Sequence, residues 1–469
     1  MTLREPWALS ATELGSRFAA GHLTPVDALE SILERIDAVN PRINAIVTLN
    51  TAGARAAAQA STARWREGRA LGPLDGVPIT IKDNLEVAGL RCTWGSPLFA
   101  NHIPPRDELL VARLRAAGAV VVGKTNCSEF AMVGHTDNAV FGLTRNPWNL
   151  QRTAGGSSGG AVAAVAAGLA PLALATDGGG STRRPAAHAG LVGFKPSTGR
   201  IARVGGLPPL FLHYEVCGTL ARTVADVVLL TRALALPHPR DPASQPFRFK
   251  PFDPPADPGR LRMLYIPAFG NAPVDPEIST LLDDAARRFA ALGHQVERAA
   301  HWDLADDINE HWMTLSQCGL ARMLDARHAA DDDLSPVARA NAAAGRAARG
   351  ATLLDLFDRM SLLQQRLGDC LSTFDVLLTP ATAALPWPAS QSYPDTIGGQ
   401  PVGPRGHAVF TGFVNAAGLP AMALPCGQSR DGLPNGLQLV GRWGDDDSVC
   451  ALAAQWERTE GAEVRWPPI

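Results

Sequence analysis

Apolar positions along the chain change period repeatedly, and the changes divide it into alternating helices and strands. LSATELGSRFAAG has helical spacing behind a cap-like Ser10. TPVDALESILERIDAVN predicts a second helix, with Thr24 ahead of Pro25 in its first turn. In GVPITIKDN (76–84) the period drops to two: Val77, Ile79 and Ile81 alternate, and two charges and an asparagine end the run. That pattern predicts a strand carrying Lys82 at its tip. DELLVARLRAAGAVVVGKTN (107–126) reads as an amphipathic helix, a break at Gly118 and a strand, the grammar of α/β proteins. Residues 143–160 read as mostly loop, followed by a small-residue helix from about Gly160 to Gly168 and a buried strand, LAPLALAT (169–176). GLVGFKPSTGR (190–200) is strand plus loop, and ADVVLLTRALA (225–235) is helix.

Residues 237–260, dense in Pro and Asp, mark the clearest composition break and read as a surface connection between two halves. Beyond it, LRMLYIPAF predicts a strand, DPEISTLLDDAARRFAALG a capped helix ending at Gly293, and HQVERA another strand. The stretch 303–374 is largely helical, and DVLLTPATAALP (375–386) is an apolar strand broken by Pro. VNAAGLPAMALPCG (414–427) and GLPNGLQLVGR (432–442) read as short strands between Gly/Pro turns. No repeat recurs at a fixed period. The fold class is therefore α/β, an α/β/α sandwich around a large mixed β-sheet.

Composition narrows the classes of function. Across 469 residues, 46% are hydrophobic and 19% charged, ample for a large core. With 43 basic against 45 acidic residues, a net charge of −2 and no long run of either sign, the sequence predicts no nucleic-acid partner and no membrane-surface partner. The seven cysteines are scattered and form no CxxC pair, which argues against a disulfide framework or zinc site and for a reducing, cytoplasmic setting. MTLREPWALSATELGSRF has no apolar core of a secretory signal, and AVAAVAAGLAPLALA (161–175) is too short and broken to span a bilayer.

Two Gly/Ser tracts stand out, AGGSSGGAVAAVAAG (154–168) and TDGGGSTRRP (176–185). Flexible linkers have this composition, yet both tracts are flanked tightly by buried-looking segments. Glycine in such a place marks backbone that approaches something closely or takes positive φ. Neither tract has the lysine of a phosphate loop or the spacing of a dinucleotide fingerprint. Gly156–Gly160 fits GxSxG with Ser158 central, but a nucleophile elbow needs a preceding strand, and NPWNLQRTA does not read as one. What remains is a serine nucleophile without histidine. Ser181 follows three glycines, so the N–H groups of Gly178, Gly179, Gly180 and Ser181 can gather around a tetrahedral oxyanion. Serine needs a base, and a lysine whose pKa is lowered by burial can serve. Lys82 at the end of VPITI is placed for that, although taken alone it reads as an ordinary surface or ion-paired lysine.

The residues GPLDGVPITIKDN, KTNCSEFAM, TRNPWN, AGGSSGGAVAAVAAG, TDGGGSTRRPAA, GFKPSTGR, NAAGLPAMALPCG and DGLPNGLQLVG follow in an order that resembles the amidase signature hydrolases. The likeness spans nearly the whole chain and implies a single amidase domain over 1–469 with a signature core at about 70–205. It implies a Ser–cisSer–Lys triad of Lys82, Ser157 and Ser181, with Ser157 as the bridging serine in a cis peptide. Asp177, Arg183 and Ser158 then support the site, and Ser128 stands near the relay. Arg184 departs from the family pattern as a cation either near the site or exposed. Gly178 replaces a bulkier residue, which would widen the pocket. His135 reads more readily as a satisfied structural histidine than as a group facing substrate. The resemblance implies hydrolysis of a small-molecule amide, linear in form, through a Ser181 acyl-enzyme. The alternative it leaves open is the glutamine-hydrolysing A subunit of a tRNA-dependent amidotransferase. No cofactor and no metal is expected, and relatives are often homodimers.

Overall fold

The computed structural model describes residues 5–330, 333–460 and 465–469. The first four residues of the N-terminal stretch MTLREPWALSATELGSRF, and residues 331–332 within the helical stretch 303–374, lie outside them. Eleven strands form one mixed sheet. From one edge the order is Ile46–Leu49, Val120–Thr125, Pro78–Lys82, Leu172–Asp177, Val216–Ala221 and Val192–Lys195. It continues with Ala421–Gln428, Pro434–Gly441, Val376–Pro380, Arg262–Tyr265 and Gln295–Arg298. Strands from both sides of residues 237–260 thus join one sheet.

Alternating side chains sort the layers, because successive residues of a strand face opposite ways. Ile79, Ile81, Leu172 and Leu174 share a cluster with Leu110 and Leu114 of helix Leu109–Ala116 and with Val227 and Leu230 of helix Val224–Leu234. Val120, Val122, Ala173 and Ala175 point the other way, into a cluster with helices Pro25–Ile43 and Gly159–Ala166. A third cluster lies beneath the helices of 306–373 and contains Trp312, Phe211, Leu377 and Val440. Helix Gly159–Ala166 is apolar all round and buried at every position, as such a helix must be. Its first residues have no room for side chains: a β-carbon on Gly160 would lie 2.3 Å from the Asn126 nitrogen.

The caps read from sequence form. Ser10 and Thr24 each make a capping box, and Asp275 caps the helix Pro276–Ala291. Two expectations need correction, and two elements went unread. Residues 143–160 contain a small antiparallel pair, Arg145–Asn146 with Asn149–Thr153. Asn149–Thr153 alternates in exposure without an apolar face, and backbone contact with 387–389 supports it: Thr153 N–H donates to the Trp387 carbonyl at 2.9 Å. The start of 414–427 is helix, Gly412–Ala416, before the strand Ala421–Gln428. Strand Ile46–Leu49 and helix Thr51–Arg66 carry no pattern that announced them.

The connection at 237–260 lies at the surface but is pinned. Phe247 is buried, and the fully buried Arg200 guanidinium sits 4.1 Å over its ring while donating to the Lys250 carbonyl at 2.6 Å.

Candidate functional site

Strand Pro78–Lys82 runs parallel to Leu172–Asp177, with Ile79 opposite Leu172 and Ile81 opposite Leu174. Their carboxyl ends therefore reach the same edge of the sheet, where open α/β sheets gather ligand chemistry. Lys82 arrives there fully buried. Its Nζ lies 2.8 Å from Ser157 Oγ and 3.1 Å from Thr176 Oγ1. Asn84 also donates to Thr176 Oγ1, at 3.0 Å. Thr176 and Asn84 lie within the sequence motifs but were not singled out there.

Electrostatics separate Lys82 from its buried neighbours. Lys124, on the adjacent strand, is equally buried, yet Asp83 lies 3.3 Å from its Nζ. Burial works against that ammonium, and the Asp83 carboxylate more than offsets it, so the Lys124 pKa is raised. No carboxylate among the described residues pairs with Lys82, and burial lowers it to about 8. Lys195 is also buried, and burial with the Arg183 charge brings it to about 7. Its Nζ, however, donates to the Pro196 carbonyl at 2.8 Å and to no hydroxyl among the described residues. Geometry, not basicity alone, distinguishes Lys82.

The first Gly/Ser tract loops around Ser157. The Gly156–Ser157 peptide is cis. Thr136 Oγ1 clamps the loop from both sides, donating to the Gly155 carbonyl at 2.9 Å and accepting from Gly159 N–H at 3.0 Å. A β-carbon on Gly156 would fall 2.7 Å from the His135 nitrogen, which explains the glycine. Ser158 is fully buried, with its Oγ 3.4 Å from the Thr176 carbonyl. A strand does precede Ser158, contrary to the sequence reading, but it belongs to the small pair and not to the main sheet. Ser128 donates to the Val133 carbonyl instead of to the lysine–serine pair.

The second tract is a turn whose peptide planes are individually fixed. In a trans peptide each N–H points away from the preceding carbonyl, so anchoring the carbonyl aims the N–H. Asn415 Nδ2 donates to the Asp177 carbonyl at 2.8 Å, and Trp312 Nε1 to the Gly178 carbonyl at 2.9 Å. The Gly179 carbonyl accepts from Arg184 Nη1 at 2.7 Å and Thr411 Oγ1 at 2.8 Å. The Gly180 carbonyl accepts from Arg184 N–H at 3.0 Å. One expected oxyanion donor is corrected here: Gly180 N–H donates to Asp177 Oδ1 at 2.7 Å and is already engaged. The N–H groups of Gly178, Gly179 and Ser181 have no partner among the described residues. Gly180 itself has φ +108°, and a β-carbon there would meet Thr411 Oγ1 at 2.2 Å. Ser181, 6% exposed, closes the turn, and its hydroxyl makes no hydrogen bond among the described residues.

Asp177 organises the turn as an anion. Burial opposes its charge, but the Arg183 guanidinium, contacting both carboxylate oxygens, holds it well below the usual carboxylate range. Arg183 is saturated further by Gln438, Asn415 and the Thr411 carbonyl. Arg184 is buried beside the site, which decides between its two expected placements. Its Nη2 also lies 3.5 Å from the Gly156 carbonyl, so one side chain touches both tracts. Gly178 does not widen the pocket: a β-carbon there would lie 2.6 Å from Phe211, which fills the space. His135 accepts its structural reading, with Nε2 2.8 Å from the Ala389 carbonyl. A cavity of about 660 Å³ bordered by Tyr214, Gln364, Leu367 and Trp443 is lined by none of these lysine or serine groups.

Asn415, Gln438, Trp312 and Thr411 escaped the sequence reading because they lie 134 to 255 residues from their partners. Asn415 and Gln438 each stood in one of the sequence motifs, NAAGLPAMALPCG and DGLPNGLQLVG, without being singled out there.

Comparison with known proteins agrees with this architecture. Residues 27–450 match the Amidase family. The chain is 36% identical over 463 residues to an acylamidase of Rhodococcus erythropolis, covering 96% of this chain and 95% of the relative. It is 33% identical over 487 residues to the A subunit of the glutamyl-tRNA(Gln) amidotransferase of Roseiflexus sp. strain RS-1, covering 98% of each. Among solved structures, 6-aminohexanoate cyclic dimer hydrolase superposes with a TM-score of 0.88 at 29% identity, covering 99% of both chains. With a family match across most of its length and relatives aligned nearly end to end, the chain belongs to the amidase signature family of amide-acting hydrolases.

Proposed function

We propose that the protein hydrolyses a linear carboxamide to a carboxylate and ammonia or an amine, with Lys82, Ser157 and Ser181 as a Ser–cisSer–Lys triad. The observation that carries this reading is the 2.8 Å contact between Ser157 Oγ and a fully buried lysine that has no carboxylate partner among the described residues. Neutral Lys82 accepts the Ser157 proton while Ser157 Oγ takes the proton of Ser181. Ser181 Oγ bonds to the amide carbon, and the N–H groups of Gly178, Gly179 and Ser181 hold the oxygen that becomes negative. The proton returns through Ser157 to the leaving nitrogen as the carbon–nitrogen bond breaks. Water then attacks the ester by the same route and releases the carboxylate. Asp177 and Arg183 keep the turn in shape, and no step calls on a cofactor.

Lys82→Ala, Ser157→Ala and Ser181→Ala should each lower amide turnover by at least about a thousandfold while far-ultraviolet dichroism stays native. Retention of full activity by Ser181→Ala would refute the nucleophile assignment. A second reading, glutamine hydrolysis within a tRNA-dependent amidotransferase complex, is favoured by the end-to-end likeness to the Roseiflexus relative. The same preparation separates the two: the purified chain alone turns over simple carboxamides under the first reading and is nearly silent under the second. We take residues 1–469 as one functional domain with the signature core at about 70–205, acting as a monomer or homodimer on a small molecule. Seven free cysteines fit a reducing cytoplasm. No helix among the described residues is long and apolar enough to cross a membrane.

A further inference from the structure

Three arginines surround the Gly178–Ser181 turn, and among the described residues only Arg183 has a carboxylate partner. Arg184 donates to the Gly179 carbonyl and the Thr411 hydroxyl, and its buried Nε has no partner among the described residues. Arg405 stands deep beside the turn with part of its surface open, and its side chain makes no hydrogen bond or ion pair among the described residues. Its place is fixed by two glycines. A β-carbon built on Gly179 would lie 3.8 Å from Arg405 Nη2, and one on Gly412 would lie 3.7 Å from it. Trp312 lies against the same two glycines, 3.2 Å and 3.4 Å from those positions, and stacks on Phe211 with ring centroids 5.2 Å apart. An unpaired guanidinium and an aromatic wall thus border the amide groups that face the reacting carbonyl.

Two neighbouring cations with no anion are costly in a protein interior. Burial, then the Arg405 charge, pulls Arg184 down to about 9. His407 answers the same field: burial together with Arg184 and Arg405 keeps its imidazole neutral. Asp177, the carboxylate that holds this turn, is engaged by Arg183. A planar donor fork left without a protein acceptor matches a carboxylate.

We propose that the amide accepted here carries a carboxylate a few bonds from the scissile carbonyl, and that Arg405 receives it beside Gly179 while Arg184 adds positive potential from behind the turn. The proposal rests on the hydrolase reading for its chemistry but not for its test. Because no internal acceptor is displaced, the carboxylate gains a charge-assisted pair at a place already held open for it. Substrates with a cation at that point meet two guanidinium groups and are disfavoured.

The probes are succinamate and its uncharged counterpart succinamide. The wild-type chain should hydrolyse succinamate with kcat/KM at least about tenfold above that for each amide of succinamide, mainly through KM. Arg405→Met should bring this ratio down by about tenfold or more, and Arg405→Lys, which keeps charge without the fork, should retain part of it. Equal turnover of the two amides by the wild type, or an unchanged ratio in Arg405→Met, overturns the inference and leaves the hydrolase reading standing. If neither amide is hydrolysed, the hydrolase reading fails and calorimetric binding of succinamate decides: salt-sensitive binding that Arg405→Met weakens tenfold supports the site, and no binding overturns it.

Discussion

Lys82 and Lys124 stand on adjacent strands, both fully buried, and differ in their partners. Asp83 pairs with Lys124 and keeps it an ammonium, whereas Lys82 faces two hydroxyls and is lowered to about 8 by burial. If Lys82 is the base, only its uncharged form accepts a proton. The profile of kcat/KM against pH should therefore climb through one ionisation near pH 8 and level off above it. At pH 6 it should stand about a hundredfold below the plateau, since the neutral fraction falls tenfold per unit. A profile flat from pH 6 to 9 would remove Lys82 from the role. The lysine and both serines were legible in their motifs. The partnership that separates Lys82 from Lys124 was not, because both lysines end similar apolar runs.

At the scale of elements, the turn 178–181 is shaped from outside. Helix Gly412–Ala416 supplies Asn415, the helical region after 306 supplies Trp312, and each holds a carbonyl whose neighbouring N–H is thereby aimed. Trp312→Phe keeps an aromatic ring against Phe211 but removes the bond to the Gly178 carbonyl. We expect kcat to fall roughly 10- to 100-fold with little change in KM, read from initial rates with the same amide. A change confined to KM would mean that Trp312 only walls the pocket. The helix itself reads from sequence as part of a strand segment. Five residues, GFVNA, carry too little periodicity to declare a helix, and the bonds of Asn415 to the distant Asp177 give it its place. The hairpin at 145–153 escapes notice for a related reason: its polar, half-exposed residues show no alternation of apolar side chains.

Across the whole molecule, Arg200 ties together parts remote in sequence. It pairs with the fully buried Asp446 at 3.1 Å, donates to the Lys250 carbonyl, and lies over Phe247 of the Pro-rich connection. Asp446 also accepts from Ser197 N–H at 2.7 Å. Arg200→Ala would leave a buried carboxylate without its cation. Denaturant unfolding should show a loss of about 3–5 kcal/mol, whereas a surface ion pair would cost under about 1 kcal/mol. A loss in the surface range would show that the connection is not held from within. The Pro and Asp content of 237–260 announced a break in secondary structure, but it could not announce that Phe247 would be buried under a guanidinium.

By itself the sequence determined the local order: which runs alternate as strands, where Ser10, Thr24 and Asp275 start helices, and which residues stand in the two Gly/Ser tracts. These follow from side-chain spacing and backbone freedom within a few residues. Tertiary structure decided which groups would be partners. Parallel pairing brought Lys82 beside Thr176, and chain segments more than a hundred residues away fixed the carbonyls of 177–179. Folding gave Arg183 the Asp177 carboxylate and left Arg405 beside Gly179 with no carboxylate partner among the described residues. Protonation and hydrogen bonding depend on contacts a few ångströms long, and such contacts exist only once the chain has closed on itself.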